Sequence, residues 1–198
     1  MYIGITGLKG GVSKTTTAIN LAGALHKTAP TLVIDADPNR SATTWARKGK
    51  LPFKVVSELA AAKYVKNNKH IVFDTKARPE NEDLEDLVRE CDLVILPTIP
   101  NGLALDGLFK TGEAIKSLSQ VQATVKVLLT QVRGERAAIE ARELIEQLGL
   151  QTFKAQIPKL VVFERSFEQG LLVEECRDEK ARAAWDSYMR LAKEILHG

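Results

Sequence analysis

The chain has 198 residues, of which 44% are hydrophobic and 27% charged, with a formal net charge of +3 and two cysteines. These values argue against a disulfide-rich protein and predict one globular domain, residues 1–198, with a sizeable core. No signal peptide precedes Met1 and no apolar run approaches the roughly 20 residues of a membrane span, so we expect a cytoplasmic protein without a transmembrane segment.

The N-terminal segment predicts a strand, a glycine-rich turn and a helix. Residues 2–6 are a short β-branched run, residues 15–27 read as a helix, and three glycines lie between them. Such a turn directs backbone N–H groups at an anion, and the helix N-terminus adds partial positive charge. We expect a phosphate-binding loop in which Lys14 reaches the terminal phosphates and the Thr15 hydroxyl binds Mg²⁺. The alternative is a turn that binds nothing. The expected nucleotide-binding residues are Gly10, Gly11, Val12, Ser13, Lys14, Thr15 and Thr16, with Ser13 at the usual position of a glycine.

A second lysine, Lys9, precedes Lys14 by five positions. The stretch from Lys9 to Thr15 resembles the deviant Walker A motif of the ParA/MinD family of ATPases. The resemblance implies that Lys9 binds nucleotide and acts in catalysis by crossing a dimer interface to the partner's phosphates. The alternative is a solvated loop lysine.

The second predicted strand, residues 31–35, ends in an acidic stretch. Acids at the carboxyl end of a buried parallel strand lie in the crevice where doubly wound sheets bind ligands. Asp37-Pro38 resembles the family's switch I motif, which implies that Asp37 orients or activates the attacking water and lies in the Mg²⁺ shell. The alternative is a turn-forming Asp-Pro. For Asp35 two interpretations are about equal: an acid in the ligand crevice, or a strand-end acid that caps a turn or binds the following loop. Asn39 replaces the glutamine usual in the motif.

The third predicted strand, residues 70–75, also ends in an acid. It resembles a Walker B strand, which implies that Asp74 holds the Mg²⁺ shell together with Thr15 and Asp37. The family pattern continues with proline, where this chain has Lys76. Two roles stay open for Lys76: a cation near the γ-phosphate, or an ion pair with Asp74.

The rest of the chain alternates strands and helices. Helices are predicted at 57–66 with Ser57 as N-cap, from 81, at 103–118 and at 136–148, and strands at 93–97, 125–131 and 153–158. This alternation predicts an α/β single-domain P-loop NTPase with a doubly wound, mostly parallel sheet and helices on both faces.

The C-terminal third predicts two further features. The segment 157–170 resembles the family segment beside the adenine, which implies nucleotide contacts by Pro158 and Gln131. Residues 178–196 form an amphipathic helix with Trp185, Met189, Ala192 and Leu196 on its apolar stripe. Because bases and acids are balanced over 154–198, we expect this helix to dock on the core and not on a membrane. Four basic residues are either DNA-phosphate ligands or ordinary surface charge: Lys159, Arg165, Arg182 and Arg190.

The resemblance extends over nearly the whole chain and implies a small ParA-type ATPase without an N-terminal DNA-recognition domain. Its cofactors would be ATP and Mg²⁺, with Lys9, Lys14 and Asp37 as catalytic residues. It implies an ATP-dependent homodimer on nonspecific DNA, hence on the nucleoid, and an adaptor protein that stimulates hydrolysis. The cargo would be a plasmid, a chromosome or a protein organelle, because 12–14 and 74–79 look similar to the carboxysome-positioning branch. The alternatives are a MinD-like membrane-cycling ATPase and a small-molecule P-loop ligase or kinase.

Overall fold

A single seven-stranded sheet organises the computed structural model, which describes residues 1–198. Every strand pairing is parallel. The strand order is β3-β2-β4-β1-β5-β6-β7, so the chain builds one half of the sheet before crossing β1 to build the other. The strands are β1 (Tyr2–Ile5), β2 (Thr31–Ala36), β3 (Lys54–Ser57), β4 (His70–Thr75), β5 (Leu93–Thr98), β6 (Thr124–Leu129) and β7 (Gln151–Thr152).

Helices cover both faces of the sheet, which confirms the predicted doubly wound α/β class. Helices α1 and α8 dominate one face, and α4, α5 and α6 pack on the other. The helices are α1 (Lys14–His26), α2 (Ser41–Ala46), α3 (Glu58–Ala61), α4 (Asn81–Glu90), α5 (Gly102–Lys116), α6 (Glu135–Gln147), α7 (Val162–Gln169) and α8 (Ala181–His197), with short 3₁₀ turns at Val65–Asn67 and Val173–Glu175.

Strands β5 and β6 contribute side chains to the cores on both faces of the sheet. In β5, Leu93 and Ile95 join the core beneath α1 and α8, whereas Val94 and Leu96 join the core beneath α4 to α6. A strand that is buried on both faces needs apolar residues at successive positions, since successive side chains point to opposite faces. This explains why the short apolar runs of the sequence predicted the inner strands correctly.

Two of the predicted elements are wrong in extent or position, both near the sheet edges. Ser57 ends edge strand β3 and is the N-cap residue of α3, without a side-chain capping bond, but the helix predicted over 57–66 is shortened to Glu58–Ala61 and a 3₁₀ turn at Val65–Asn67. The strand predicted at 153–158 does not form: β7 lies just before it, at Gln151–Thr152, and the segment keeps an isolated bridge between Val132 and Pro158. Edge strands carry a weaker pattern because only one neighbour pairs with them and one side stays solvated.

The C-terminal helix docks on the core, as expected. Tyr188 and Leu191 of α8 are fully buried, whereas Met189, which was predicted on the apolar stripe, is 36% exposed. Trp185 and Ala192 of the predicted stripe are buried and Leu196 is partly buried, so only Met189 departs clearly from the predicted stripe. None of the helices combines the length and the apolarity that crossing a bilayer would require.

Candidate functional site

The loop between β1 and α1 has the backbone geometry of an anion cradle. Gly11 and Ser13 have φ values of +77° and +69°, and α1 begins at the next residue, Lys14. Left-handed residues at the start of a helix turn successive N–H groups toward one point. The loop is anchored to its surroundings by two hydrogen bonds: Leu8 N donates to Thr111 Oγ1 at 3.2 Å, and Thr130 Oγ1 donates to the Val12 carbonyl at 3.1 Å.

Gln131 braces this loop in a way that the sequence did not predict. Its Nε2 donates to the Gly11 carbonyl at 2.7 Å and to Ser13 Oγ at 3.1 Å. A non-glycine residue in the left-handed region is strained, and the bond from Gln131 holds Ser13 there. Gln131 is also expected to contact the nucleotide, and the residue lines the adjoining pocket.

We predict that Gln131→Asn weakens ATP binding about 3- to 10-fold, because a loop hydrogen bond contributes on the order of 1 kcal/mol. Asparagine tolerates the left-handed backbone of Gln131, whose φ is +51°, but is one methylene too short to bridge Gly11 and Ser13. Isothermal titration with ATP measures the effect. Unchanged affinity in this variant would contradict a bracing role.

Lys14 and Asp74 form the buried electrostatic centre of the site. Lys14 is only 7% exposed, and burial lowers the pKa of its ammonium while Asp74 and Asp37 oppose that shift. The pKa of Asp74 is raised to about 7, mainly by burial; Asp35 and Asp37 also favour the protonated form, whereas the Thr15 hydroxyl and Lys14 favour the charged form. A base and an acid kept at such cost in the apolar interior indicate a functional site.

The residues present fit a magnesium ion. Both Asp74 carboxylate oxygens are buried without a hydrogen-bond partner, and so are the hydroxyls of Thr6 and Thr98. Buried polar atoms are normally satisfied, so these orphans mark a place for a polar ligand. Oxygen ligands and water are the shell that Mg²⁺ prefers. Thr15, which lies beside Asp74, and Asp37 complete the predicted set of magnesium-associated residues.

The two acids at the carboxyl end of β2, Asp35 and Asp37, have different environments. Asp35 is fully buried, and its Oδ2 accepts hydrogen bonds from Thr43 N at 2.8 Å and Thr43 Oγ1 at 2.5 Å. Its carboxylate is thus used in anchoring α2, which supports the loop-binding interpretation of Asp35. Asp37 accepts one bond, from Asn39 N at 2.8 Å, through Oδ1. Its other oxygen is left for a water or a ligand.

The two lysines of uncertain role contact different helices, Lys9 α5 and Lys76 α4. Lys9 is half-buried, and its stem packs against Gly107 of α5, where an added Cβ would come within 3.3 Å of Lys9 Cβ. Lys76 does not pair with Asp74: it forms an ion pair with Asp83 of α4 at 2.7 Å. The Asp83 side chain is 41% exposed to solvent, whereas Asp74 is fully buried inside the sheet.

A pocket of about 540 Å³ continues from the loop toward the C-terminal segment. Ser13, Thr15 and Thr16 line one end and Pro158 lines the other, as predicted for a nucleotide. Aromatic side chains that the sequence did not single out form the rest of the wall: Phe163 and Phe167, which pack edge-on against the buried rings of Tyr188 and Trp45. The size and the mixed lining fit a nucleoside, and only the tertiary packing of α2, α7 and α8 brings these aromatic residues together.

The four predicted DNA ligands have different surroundings. Arg165 and Arg182 form ion pairs with Asp178 at 2.5 Å and with Asp186 at 3.1 Å. Lys159 lines the nucleotide pocket. Arg190 lies in a groove between α6 and α8 whose other basic residues are Arg142, Lys154, Lys193 and His197.

The sequence of this chain was compared with those of known protein families and individual proteins. The profile of the CobQ/CobB/MinD/ParA nucleotide-binding domain matches residues 3–173. The chain is 35% identical over 196 residues to "Maintenance of carboxysome distribution protein A" of Gloeobacter kilaueensis, an alignment that covers 94% of this chain and 90% of that protein.

Two solved structures have the same fold. One is the ATP complex of an aspartate-to-alanine variant of McdA from Cyanothece, with a TM-score of 0.78 and 16% identity over 98% of this chain and 95% of that chain. The other is the cell division protein MinD of Aquifex aeolicus, with a TM-score of 0.78 and 17% identity over 100% of this chain and 97% of that chain. The equal scores mean that the fold alone does not separate the two branches.

Proposed function

The chain belongs to the CobQ/CobB/MinD/ParA nucleotide-binding family, as a ParA-type ATPase, and we propose that it hydrolyses ATP with Mg²⁺ to control a homodimer that binds nonspecific DNA and positions a cargo. One observation carries this proposal: a phosphate loop with two lysines, Lys9 and Lys14, lies beside the carboxylates of Asp37 and Asp74. A plain P-loop enzyme needs Lys14 and Asp74, whereas the added Lys9 favours the dimerising branch.

Each residue has a distinct proposed role in hydrolysis. Lys14 binds the terminal phosphates, and the backbone N–H groups from Gly10 to Thr15 cradle them. Asp37, with one free carboxylate oxygen, orients the attacking water and accepts its proton. Thr15 and Asp74 would hold Mg²⁺, which neutralises phosphate charge. Lys9 of each copy reaches the nucleotide of the other.

The proposed cargo is a carboxysome. The support is the relative of 35% identity, whose name refers to carboxysome distribution and whose alignment covers nearly the whole of both proteins. A positioning system of this kind implies an adaptor on the cargo, a cytoplasmic location and reversible attachment to the nucleoid. DNA contact by phosphate groups alone would make attachment sequence-independent and salt-sensitive. The groove around Arg190 is a better candidate for it than Arg165 or Arg182, because those two are already paired.

The proposed function is tested by a gel shift on plasmid DNA of unrelated sequence, without nucleotide, with ADP, and with ATP and Mg²⁺. We expect the DNA to be retarded only in the presence of ATP and Mg²⁺, and this retardation to be lost at high salt. Absence of binding in every state would overturn the DNA-binding proposal. Liposome sedimentation with ATP would then test the membrane-cycling alternative, and substrate-dependent turnover without DNA or a partner would test the metabolic one.

Dimerisation is tested separately by Lys9→Ala. We expect this variant to bind ATP with an affinity near that of the unchanged protein yet to remain monomeric in light scattering with ATP, since Lys9 is proposed to bridge the copies. The matched control is Lys63→Ala, which removes an exposed lysine far from the loop in sequence. An ATP-dependent dimer of Lys9→Ala would contradict the assignment.

A further inference from the structure

An open groove of about 740 Å³ crosses the face of the sheet between α3 and α4. Its floor is apolar: Tyr2 of β1 and Phe73 of β4 stack there with ring centroids 6.4 Å apart, and Leu87 of α4 borders them. Tyr2 is 39% exposed although it belongs to a central strand. Here the helical layer has a gap that leaves aromatic surface in contact with water.

The gap follows from the lengths and packing of the two flanking helices. Helix α3 has only four residues and covers β2 and β3. Helix α4 is drawn to the other side because Gly4 lets it approach β1: a Cβ at Gly4 would lie 2.9 Å from Leu87 and 3.3 Å from Cys91. With α3 short and α4 seated on Gly4, nothing covers the strip above Tyr2 and Phe73.

The walls of this groove are acidic. Glu58 projects from α3, and Asp83, Asp86 and Glu90 line the groove from α4, against a single lining base, Lys76. Two nearby charges outside the lining also count: Glu80, close to Lys76, and Arg89, which pairs with Asp86 at 2.6 Å and Glu90 at 3.1 Å. Together these seven side chains, five acidic and two basic, carry a formal charge of −3 on a protein whose total is +3.

An apolar floor between acidic walls selects a particular occupant. A bound cation alone would leave the aromatic floor exposed to water, and a purely apolar segment would leave the carboxylates without a counter-charge. Nucleic acid and anionic lipid are repelled by the same walls. We propose that this groove docks a basic peptide segment of a partner protein, with lysine or arginine side chains on Glu58 and the α4 acids and an aromatic or aliphatic side chain on Tyr2 and Phe73.

The groove ends beside the hydrolytic centre. Pro38, which follows Asp37, and Thr75, which follows Asp74, both line its inner end. Thr75 Oγ1 donates to the Ile5 carbonyl at 2.9 Å, immediately before the phosphate loop. A docked basic side chain would compete with Lys76 for Asp83, whose ion pair spans this end of the groove at 2.7 Å. A partner bound here would touch the segments that carry both catalytic-site carboxylates without entering the nucleotide pocket.

Docking is tested with fluorescein-labelled peptides of about 12 residues, the length of a typical linear motif. The probe is a repeat of Lys-Lys-Phe; Lys-Lys-Ser and Glu-Glu-Phe repeats remove its apolar and its basic components. Fluorescence anisotropy with the full chain, in the absence of DNA and nucleotide, should show the strongest binding for Lys-Lys-Phe. Equal binding of Lys-Lys-Ser would overturn the apolar part of the site, and equal binding of Glu-Glu-Phe would overturn the acidic part.

Two charge-matched double variants locate the binding. Glu58→Lys with Glu90→Lys changes the groove, whereas Glu143→Lys with Glu146→Lys makes the same change on exposed positions of α6. We expect the groove pair to weaken Lys-Lys-Phe binding at least about tenfold and the α6 pair to weaken it no more than about twofold. Equal losses in both would mean unspecific attraction and would overturn the proposal.

A measurement on the unmodified chain guards against a folding defect in the variants. A benzoylphenylalanine in place of one peptide phenylalanine should crosslink to Tyr2, Phe73 or Leu87, as mapped by mass spectrometry. Crosslinks confined to other surfaces would overturn the proposal. Sedimentation velocity without peptide tests whether a second copy of the chain occupies the groove. Self-association that is abolished by Glu58→Lys with Glu90→Lys would show that it does, and would overturn the proposed peptide.

Discussion

Asp37→Ala should lower the rate of ATP hydrolysis about 100-fold or more while leaving ATP binding nearly unchanged. The size of the effect follows from the usual contribution of a positioned general base, about 10²- to 10⁴-fold. Asp37 is buried near Lys14, yet only one of its oxygens is bound, by Asn39 N. Phosphate release measured at saturating ATP, together with light scattering, should show an ATP-bound dimer that persists.

The matched control for this prediction is Asn39→Ala. Asn39 bonds Asp37 through its backbone N–H, and its side chain is exposed, so truncating that side chain should change the rate by no more than about twofold. Turnover of Asp37→Ala at the rate of the unchanged protein would remove Asp37 from the catalytic role. A large loss in Asn39→Ala would instead give its side chain a part in positioning water.

Asp74→Asn should make the protein free of nucleotide and Mg²⁺ more stable at pH 8 while abolishing most of its Mg²⁺-dependent hydrolysis. The folded pKa of Asp74 is about 7, against 3.8 for the free side chain. Between these values the folded state holds a proton that the unfolded state has released, so the free energy of unfolding falls as the pH rises through this window. Well above the folded pKa of about 7, the contribution of Asp74 to the free energy of unfolding no longer changes with pH.

The neutral amide of Asp74→Asn has no such pH-dependent loss. Its stability relative to the unchanged protein should therefore rise by roughly 2 to 4 kcal/mol between pH 4.5 and pH 8. Urea unfolding in EDTA without nucleotide measures the difference. Asp35→Asn is the contrasting variant: it weakens the bonds from Thr43 and should destabilise the protein by about 1 to 3 kcal/mol. A constant difference between Asp74→Asn and the unchanged protein across this range would contradict the buried, raised pKa.

Local sequence was enough to predict the phosphate loop, the inner strands and the family. A loop conformation depends on the residues within it, so the glycines before Lys14 and the strand and helix on either side were sufficient. Strands that are buried on both faces can be recognised in the sequence as short apolar runs. The same reasoning failed for β3 and for the strand predicted at 153–158, because at sheet edges fewer neighbours constrain the pattern.

The partners of polar side chains were decided by the tertiary structure alone. Ser13 and Gln131 are 118 residues apart, and only the pairing of β5 with β6 brings the end of β6 to the loop. Sequence left two roles open for Lys76, and the seating of α4 on Gly4 supplied a third, the ion pair with Asp83. Sequence also left the role of Asp35 open, and the hydrogen bonds from Thr43 to its carboxylate decided that role. Local propensity acts over a few residues, whereas hydrogen bonds and ion pairs form between whatever the packing of the sheet and helices brings within about 3 Å.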